Sequence, residues 1–411
     1  MKNVIIIGGG AAGLTAARTA AERGFNVTVV ERNERPARKV MLTGKGRCNV
    51  TNDTDVNGLV SAVTDKKSGR FLYSAFNAYS AEDTKEFFET YGVPLKTERG
   101  NRVFPCSDKA VDIVDALVAA AKQAGAELMT DRAVSLKTED GRVTGVVTES
   151  GRTLFADAVV VATGGLSYPL TGSTGDGYEL AASVGHTVTE LVPSLVPLTV
   201  KEGWCSALQG LSLKNISVSV YKGDSSKPVF TDFGELMFTH YGLSGPVILS
   251  ASAYIKAPEV SGYKVVIDLK PALSKEKLDA RLLRDFSAAS NKNFINSLGE
   301  LLPKKLIPVV VKLSGIEPSA KVNQITKQQR TELVRLLKGL TLTVNGFRPI
   351  DEAVVTKGGV KLSEIEPKTM RSKLCDGLYF AGEVLDADAF TGGFNLQIAF
   401  STGFVAGNNI E

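Results

Sequence analysis

Val4-Ile-Ile-Ile-Gly8-Gly9-Gly10-Ala-Ala-Gly13 is the stretch that decides the fold. A short apolar run enters three glycines at GxGxxG spacing and leaves into an alanine-rich helical pattern. A bound dinucleotide pyrophosphate needs that order. Gly8 permits the tight turn, Gly10 lets the backbone approach the phosphates, and Gly13 lets helix and strand pack closely. The helix then points its unpaired N–H groups and positive dipole end at the anion. A second strand is legible at Asn26-Val-Thr-Val-Val30 and ends at Glu31. That carboxylate falls near the roughly 20-residue offset at which an acid hydrogen-bonds a ribose hydroxyl. An acid there repels a 2′-phosphate, so the pattern fits FAD or NAD and excludes NADP as the resident nucleotide.

The far end of the chain separates these two. In Leu378-Tyr-Phe-Ala-Gly382-Glu383 a buried strand delivers an acid just after a glycine, where it can hold the hydroxyls of a ribityl chain. Thr391-Gly392-Gly393-Phe-Asn395-Leu-Gln397 then opens a helix. Its N-terminus would face the pyrimidine edge of a flavin, where negative charge gathers on reduction. NAD needs neither feature. Only one complete fingerprint exists in the chain, so the reading is resident FAD, with any NAD(P)H binding transiently as an electron donor.

Bulk properties agree with an ordinary globular enzyme. At 411 residues two or three domains are expected. The 48 basic and 44 acidic residues leave a net charge of +4, which alone does not argue for a nucleic-acid partner. No segment approaches the roughly 20 apolar residues of a membrane span, and the apolar run before Gly8 is too short for a signal peptide. The expectation is therefore a cytoplasmic chain with no membrane association. Cys48, Cys106, Cys205 and Cys375 are scattered without a CxxC pair, and His186 and His240 are the only histidines. No metal site is expected, and the redox chemistry falls to an organic cofactor.

Periodicity places helices near Ala81 to Tyr91 and Lys109 to Ala124, a strand at Glu127 to Thr130, and a hairpin from Ala133 to Thr148. A buried strand at Ala158 to Val161 runs into Ala162-Thr163-Gly164-Gly165. Beyond Pro193 and Pro197 the alternation at Ile216 to Tyr221 and Lys264 to Leu269 reads as β-rich, and Ser274 to Lys338 reads as helical. The expected class is α/β, a Rossmann-like FAD-binding domain made from residues 1–192 and 346–411. A β-rich, barrel-like domain takes residues 193–273 and 339–345, and a helical insert takes 274–338. That insert carries 13 Lys or Arg against 6 Asp or Glu. Such a surplus suits a polyanion but equally suits solvated helix faces.

Several further stretches resemble one family, the BaiN and YhiN type flavoproteins, or aminoacetone-oxidase-like FAD-binding enzymes. They are GKGRCNVTN at Gly44 to Asn52, ATGG at Ala162 to Gly165, FTHYGLSGP at Phe238 to Pro246, VVTKGGV at Val354 to Val360, and GEVLDADAFTGGFNLQIAFSTG from Gly382. The resemblance runs nearly the whole length. It implies a three-domain flavoprotein with FAD extended between the glycine loop and the C-terminal helix. It places Gly8, Gly10, Ala12 and Gly13 at the pyrophosphate and Glu31 at the adenosine ribose. Lys39, Gly46, Arg47 and Asn49 would lie along the FAD, with Val134 near the adenine and Ala162, Thr163 and Gly164 lining its pocket. Gly382, Glu383, Gly393, Asn395 and Leu396 would surround the ribityl and flavin.

Chemistry at a flavin requires hydride transfer at N5 and commonly a proton donor or acceptor on the substrate's other side. His240, in the turn-rich FTHYGLSGP segment, is one candidate. Cys48, beside Arg47, is another if its thiol pKa is lowered; otherwise it is a packed core residue. Asp386 and Asp388 are possible bases or loop carboxylates. His186 follows Gly185 at a helix end and reads as a capping residue. Three functions stay open: a reductase that saturates a carbon–carbon double bond in a small-molecule enone or in a uracil ring of RNA, an amine oxidase that uses oxygen, and a non-catalytic flavin-based redox sensor or RNA-binding protein.

Overall fold

A computed structural model describes all 411 residues. The chain divides into two compact units, Met1–Ser194 with Pro349–Glu411, and Leu195–Arg348.

The first unit is organised by a five-stranded parallel sheet in the order Leu378–Phe380, Ala158–Val161, Asn3–Ile7, Asn26–Glu31, Glu127–Thr130. Ile5 lies in register with Val159 on one side and Thr28 on the other. The central strands are buried along almost their whole length, which is why they are almost continuously apolar rather than alternating. The helix Ala11–Glu22 leaves the glycine turn directly. It packs on the C-terminal helix Phe394–Asn408 at very close range. A Cβ at Gly403 would lie 2.3 Å from the Ala12 carbonyl oxygen, and one at Gly407 would lie 2.5 Å from that of Ala16. The C-terminal helix is buried nearly all round, so it shows no amphipathic stripe. The helices Ala81–Thr90 and Ala110–Gln123 and the hairpin Ala133–Glu139 with Arg142–Thr148 stand close to their expected places.

The second unit is a closed six-stranded barrel. Its strands run, in spatial order, Leu198–Val200, Gly242–Ser244, Phe230–Phe238, Ser212–Lys222, Tyr263–Asp268 and Leu340–Phe347. Alternation puts Val218, Val220, Val265 and Ile267 inside. Three helices, Lys275–Ala288, Ile307–Ser314 and Lys327–Lys338, enter between the last two barrel strands in sequence. Ser274 caps the first through the Lys277 amide, and Thr326 and Gln329 form a capping box on the third. Leu278, Leu282 and Phe286 at helical spacing, with Leu333 and Leu337, join Val218 and Ile267 in one buried core. The 274–338 segment and the barrel thus share a single interior. No helix is long and apolar enough to cross a membrane.

Candidate functional site

The glycine loop opens into a cavity whose walls all come from the first unit. Gly8 has φ +101°, and a Cβ there would lie 2.6 Å from the Ala162 carbonyl oxygen. At Gly13 a Cβ would lie only 1.8 Å from the Gly8 carbonyl oxygen. Around the Gly10 Cβ position nothing lies within 4 Å, so the backbone faces open space. Gly10 is also the N-cap of the helix and provides no side-chain cap. The first-turn amides and the helix dipole are therefore directed at the cavity without a side chain to neutralise them. Thr163 adds a buried hydroxyl that lines the cavity and has no hydrogen-bond partner. An anionic, hydroxyl-rich cofactor fits this lining, as FAD requires.

Twelve of the expected cofactor residues line the cavity together: Gly8, Gly10, Ala12, Glu31, Lys39, Ala162, Thr163, Gly164, Gly382, Glu383, Asn395 and Leu396. Glu31 is fixed on both oxygens. One accepts the Gly9 amide at 2.8 Å, and the other accepts the Asn33 amide and side-chain Nδ2, each at 2.8 Å. Glu383 accepts Lys39 Nζ at 2.6 Å on one oxygen, and Ser167 Oγ at 3.0 Å and the Thr356 amide at 2.9 Å on the other. Asn395 holds its own approach loop, accepting the Ala389 amide at 2.9 Å and donating to the Ala389 carbonyl at 2.7 Å.

The other expected positions stand elsewhere. Gly13 sits behind the loop as a packing glycine. Gly46 is exposed. Arg47 turns to Glu98, at 2.5 and 3.3 Å, and to Asp108, at 2.5 and 2.8 Å, and stacks over Phe104 at 4.2 Å. It clamps the loop rather than lining the cavity. Asn49 is half-buried with its Oδ1 unpartnered. Val134 is 46 % exposed, whereas its neighbours Asp131, Arg132 and Ala133 line the wall. Gly393 permits a close approach to Thr51, whose carbonyl carbon and oxygen lie 2.4 Å from its Cβ position. Lys45 is exposed, with φ +60°.

Sequence reading missed the polar wall beyond Glu31. Arg132 holds Asp176 through two bonds of 2.9 and 3.1 Å, and Arg32 donates to Thr174 at 2.6 Å. Burial opposes ionisation of Asp176, but Arg132 and Thr174 outweigh it and hold its pKa below the ordinary value. The hydroxyl of Ser150 leads the set of donors that hold Asp131 down to about 2. No spacing rule connects Arg132 with Asp176; only the fold brings them together. Ser167, two residues past Gly165, is fully buried and bridges Lys39 and Glu383.

The candidates for chemistry separate clearly. Cys48 is fully buried, and burial pushes its thiol up to about 12, so Arg47 gives it no thiolate character. His240 is exposed in the second unit, with its ring edge-on to Tyr241 at 4.8 Å. His186 is buried, lies 2.7 Å from Ser372 Oγ and 3.3 Å from Glu364, and its pKa is lowered by burial. Asp388 is also buried, accepting Thr64 Oγ1 at 2.7 Å and Ser194 Oγ at 2.6 Å. Asp386 is raised by burial. Arg330, in the helical insert, binds Asp279 at 2.5 and 3.3 Å, leaving it little freedom to meet a polyanion. No group of three or more His, Cys, Asp or Glu residues is arranged to hold a metal ion.

Comparison with known proteins follows the same lines. A family model described as HI0933-like protein Rossmann domain matches residues 2–409. The 3-dehydro-bile acid delta(4,6)-reductase of Clostridium scindens is 32% identical over 412 residues, covering 99% of this chain and 98% of the relative. The ribosomal RNA dihydrouridine synthase of Escherichia coli is 29% identical, again over 99% and 98%. Among solved structures, 3-ketosteroid delta1-dehydrogenase from Sterolibacterium denitrificans superposes with a TM-score of 0.53 at 14% identity, covering 100% of this chain and 99% of that one. That last likeness concerns the fold.

Proposed function

The chain belongs to the HI0933-like family and is an FAD-dependent oxidoreductase, and from that premise we propose that it reduces a carbon–carbon double bond conjugated to a carbonyl, with NAD(P)H as electron donor. One observation carries this reading. Two relatives matched over almost their whole length bear names that describe saturation of such a bond, one in a 3-dehydro-bile acid and one in uridine of ribosomal RNA. A steroid enone and a uracil ring differ in nearly everything except the polarised double bond.

FAD, when bound, supplies the hydride from N5. The chain's own residues hold and orient it. The first-turn amides after Gly10 would receive the pyrophosphate and Glu31 the ribose, and Glu383 and Asn395 would shape the opposite end of the cavity. Cys48, a buried neutral thiol, is left with a packing role.

Between the two substrates, charge favours RNA. Leu195–Arg348 holds 21 Lys or Arg against 12 Asp or Glu, a net charge of +9, whereas the first unit is net acidic by five. Segregation on that scale attracts a polyanion and would be wasted on a small enone. The test is anaerobic stopped-flow. NADH or NADPH should bleach the flavin, and a uridine-containing RNA should restore its colour faster than a 3-oxo-Δ4 steroid does. Bleaching by small amines with rapid peroxide formation in air would replace this reading by an amine oxidase.

A further inference from the structure

Lys39 and Glu383 stand 344 residues apart in sequence and meet in the cavity wall at 2.6 Å. Lys39 comes from the short helix Arg38–Leu42 after the second strand, and Glu383 from the glycine motif at the far end of the chain. Their side chains are 23% and 18% exposed, so this is a largely enclosed pair rather than a surface contact. Ser167 braces both partners, with its Oγ 2.6 Å from Lys39 Nζ and 3.0 Å from Glu383. The Thr356 amide adds a fourth fixed member at 2.9 Å. A carboxylate offers about four acceptor directions, and three are taken here. Glu383 therefore retains little capacity for the ribityl hydroxyls that its motif suggests. Most of its bonding serves to hold Lys39.

From this arrangement we infer that the Lys39–Glu383 pair sets the charge of the FAD cavity and thereby the reduction potential of the bound flavin. Reduction adds two electrons and places negative charge on the ring. A fixed charge in a partly enclosed cavity acts on that added charge with less solvent screening than one at the surface. The intact pair is neutral, so by itself it neither favours nor opposes that charge. Without Lys39 the Glu383 carboxylate stands uncompensated and opposes reduction. Without the Glu383 charge, the Lys39 ammonium favours it. Lys39 acts here as a positioning and electrostatic residue. The inference goes beyond the reductase reading, because it holds for an oxidase as well.

The experiment is a midpoint-potential measurement on the holoenzyme, reduced by xanthine and xanthine oxidase with a dye of known potential, so no substrate turnover enters. K39M is expected to weaken the preference for reduced over oxidised flavin at least tenfold, about 30 mV downward for a two-electron couple. E383Q should move the potential upward by a similar amount. K39M/E383Q, neutral again, should return to within threefold of the parent, and so should K39R. Opposite signs from the two single variants are the signature, since a lesion that merely loosens the cavity would move both the same way. The inference is overturned if K39M retains FAD at an unchanged potential, or if the double variant shifts as far as K39M. Should K39M lose FAD altogether, E383Q decides: a rise supports the inference and any other result overturns it.

Discussion

Gln397 offers the sharpest test of how the C-terminal helix is held in place. The residue is fully buried one turn into Phe394–Asn408, where every bond of its amide is used. Oε1 accepts Thr51 Oγ1 at 2.6 Å and Thr84 Oγ1 at 2.9 Å. Nε2 donates to the carbonyls of Tyr79 and Ser80 at 3.1 and 3.0 Å and reaches Ser401 Oγ at 3.0 Å. Q397L keeps the volume and removes all five bonds. Thr84 and Ser401 have other acceptors, the carbonyls of Ser80 and Tyr79. Thr51, also fully buried, does not. An orphaned hydroxyl costs about 1–3 kcal/mol, and each of the four exchangeable bonds about 0.5–1, so the total loss is about 3–7 kcal/mol. With a urea m-value of about 3 kcal/mol/M the holoenzyme's unfolding midpoint should fall by about 1 M or more. Adding T51V to Q397L removes the orphan and should recover about 1–2 kcal/mol, a coupling that a double-mutant cycle reads directly. A loss below 1 kcal/mol, or a T51V cost that adds to that of Q397L, would refute the reasoning.

Three other outcomes follow from the same geometry. G13A forces a methyl to 1.8 Å from the Gly8 carbonyl oxygen, so the turn must open; FAD fluorescence titration should show at least a tenfold weaker complex, about 1.4 kcal/mol. Cys48 and Cys205 titrate near 12 when folded against 9.0 for an ordinary thiol, so their stabilising contribution is complete below pH 9 and is lost as pH rises towards 12. Each contributes a slope of up to about 1.4 kcal/mol per pH unit in that window, and C48A should flatten the alkaline fall measured by urea unfolding. R330Q breaks the partly buried bond pair to Asp279 and should cost about 1–2 kcal/mol of stability. In a filter-binding assay it should leave RNA affinity unchanged, whereas neutralising exposed Lys292, Lys304 and Lys312 together should weaken it and reduce its salt dependence.

Where local pattern is dictated by backbone chemistry, reading the chain worked well. The glycine loop, Glu31 at the end of its strand, the Ala158–Val161 strand and the opening of the helix after Gly393 all stand as expected. Each depends on a residue type that the local geometry makes nearly obligatory. The GKGRCN segment shows the limit. Its residues point towards a cofactor by resemblance, yet Arg47 finds the Glu98 carboxylate and Phe104 ring of neighbouring strands and the Asp108 carboxylate just beyond them, and turns to them. Cys48, which sequence left open as a nucleophile, is enclosed, and enclosure raises a thiol pKa.

The sequence by itself determined the cofactor class and its two anchoring ends, because a pyrophosphate-binding turn demands glycines at fixed spacing and periodicity exposes the strands that carry them. Tertiary structure alone decided which distant charges meet. Lys39 with Glu383, Arg132 with Asp176 and Gln397 with Thr51 and Thr84 have no mutual spacing that a linear reading could detect. Each partner taken alone reads as a loop charge or a helix polar residue. Only the folded chain removes water from between them, and that turns an ordinary polar side chain into a fixed electrostatic element.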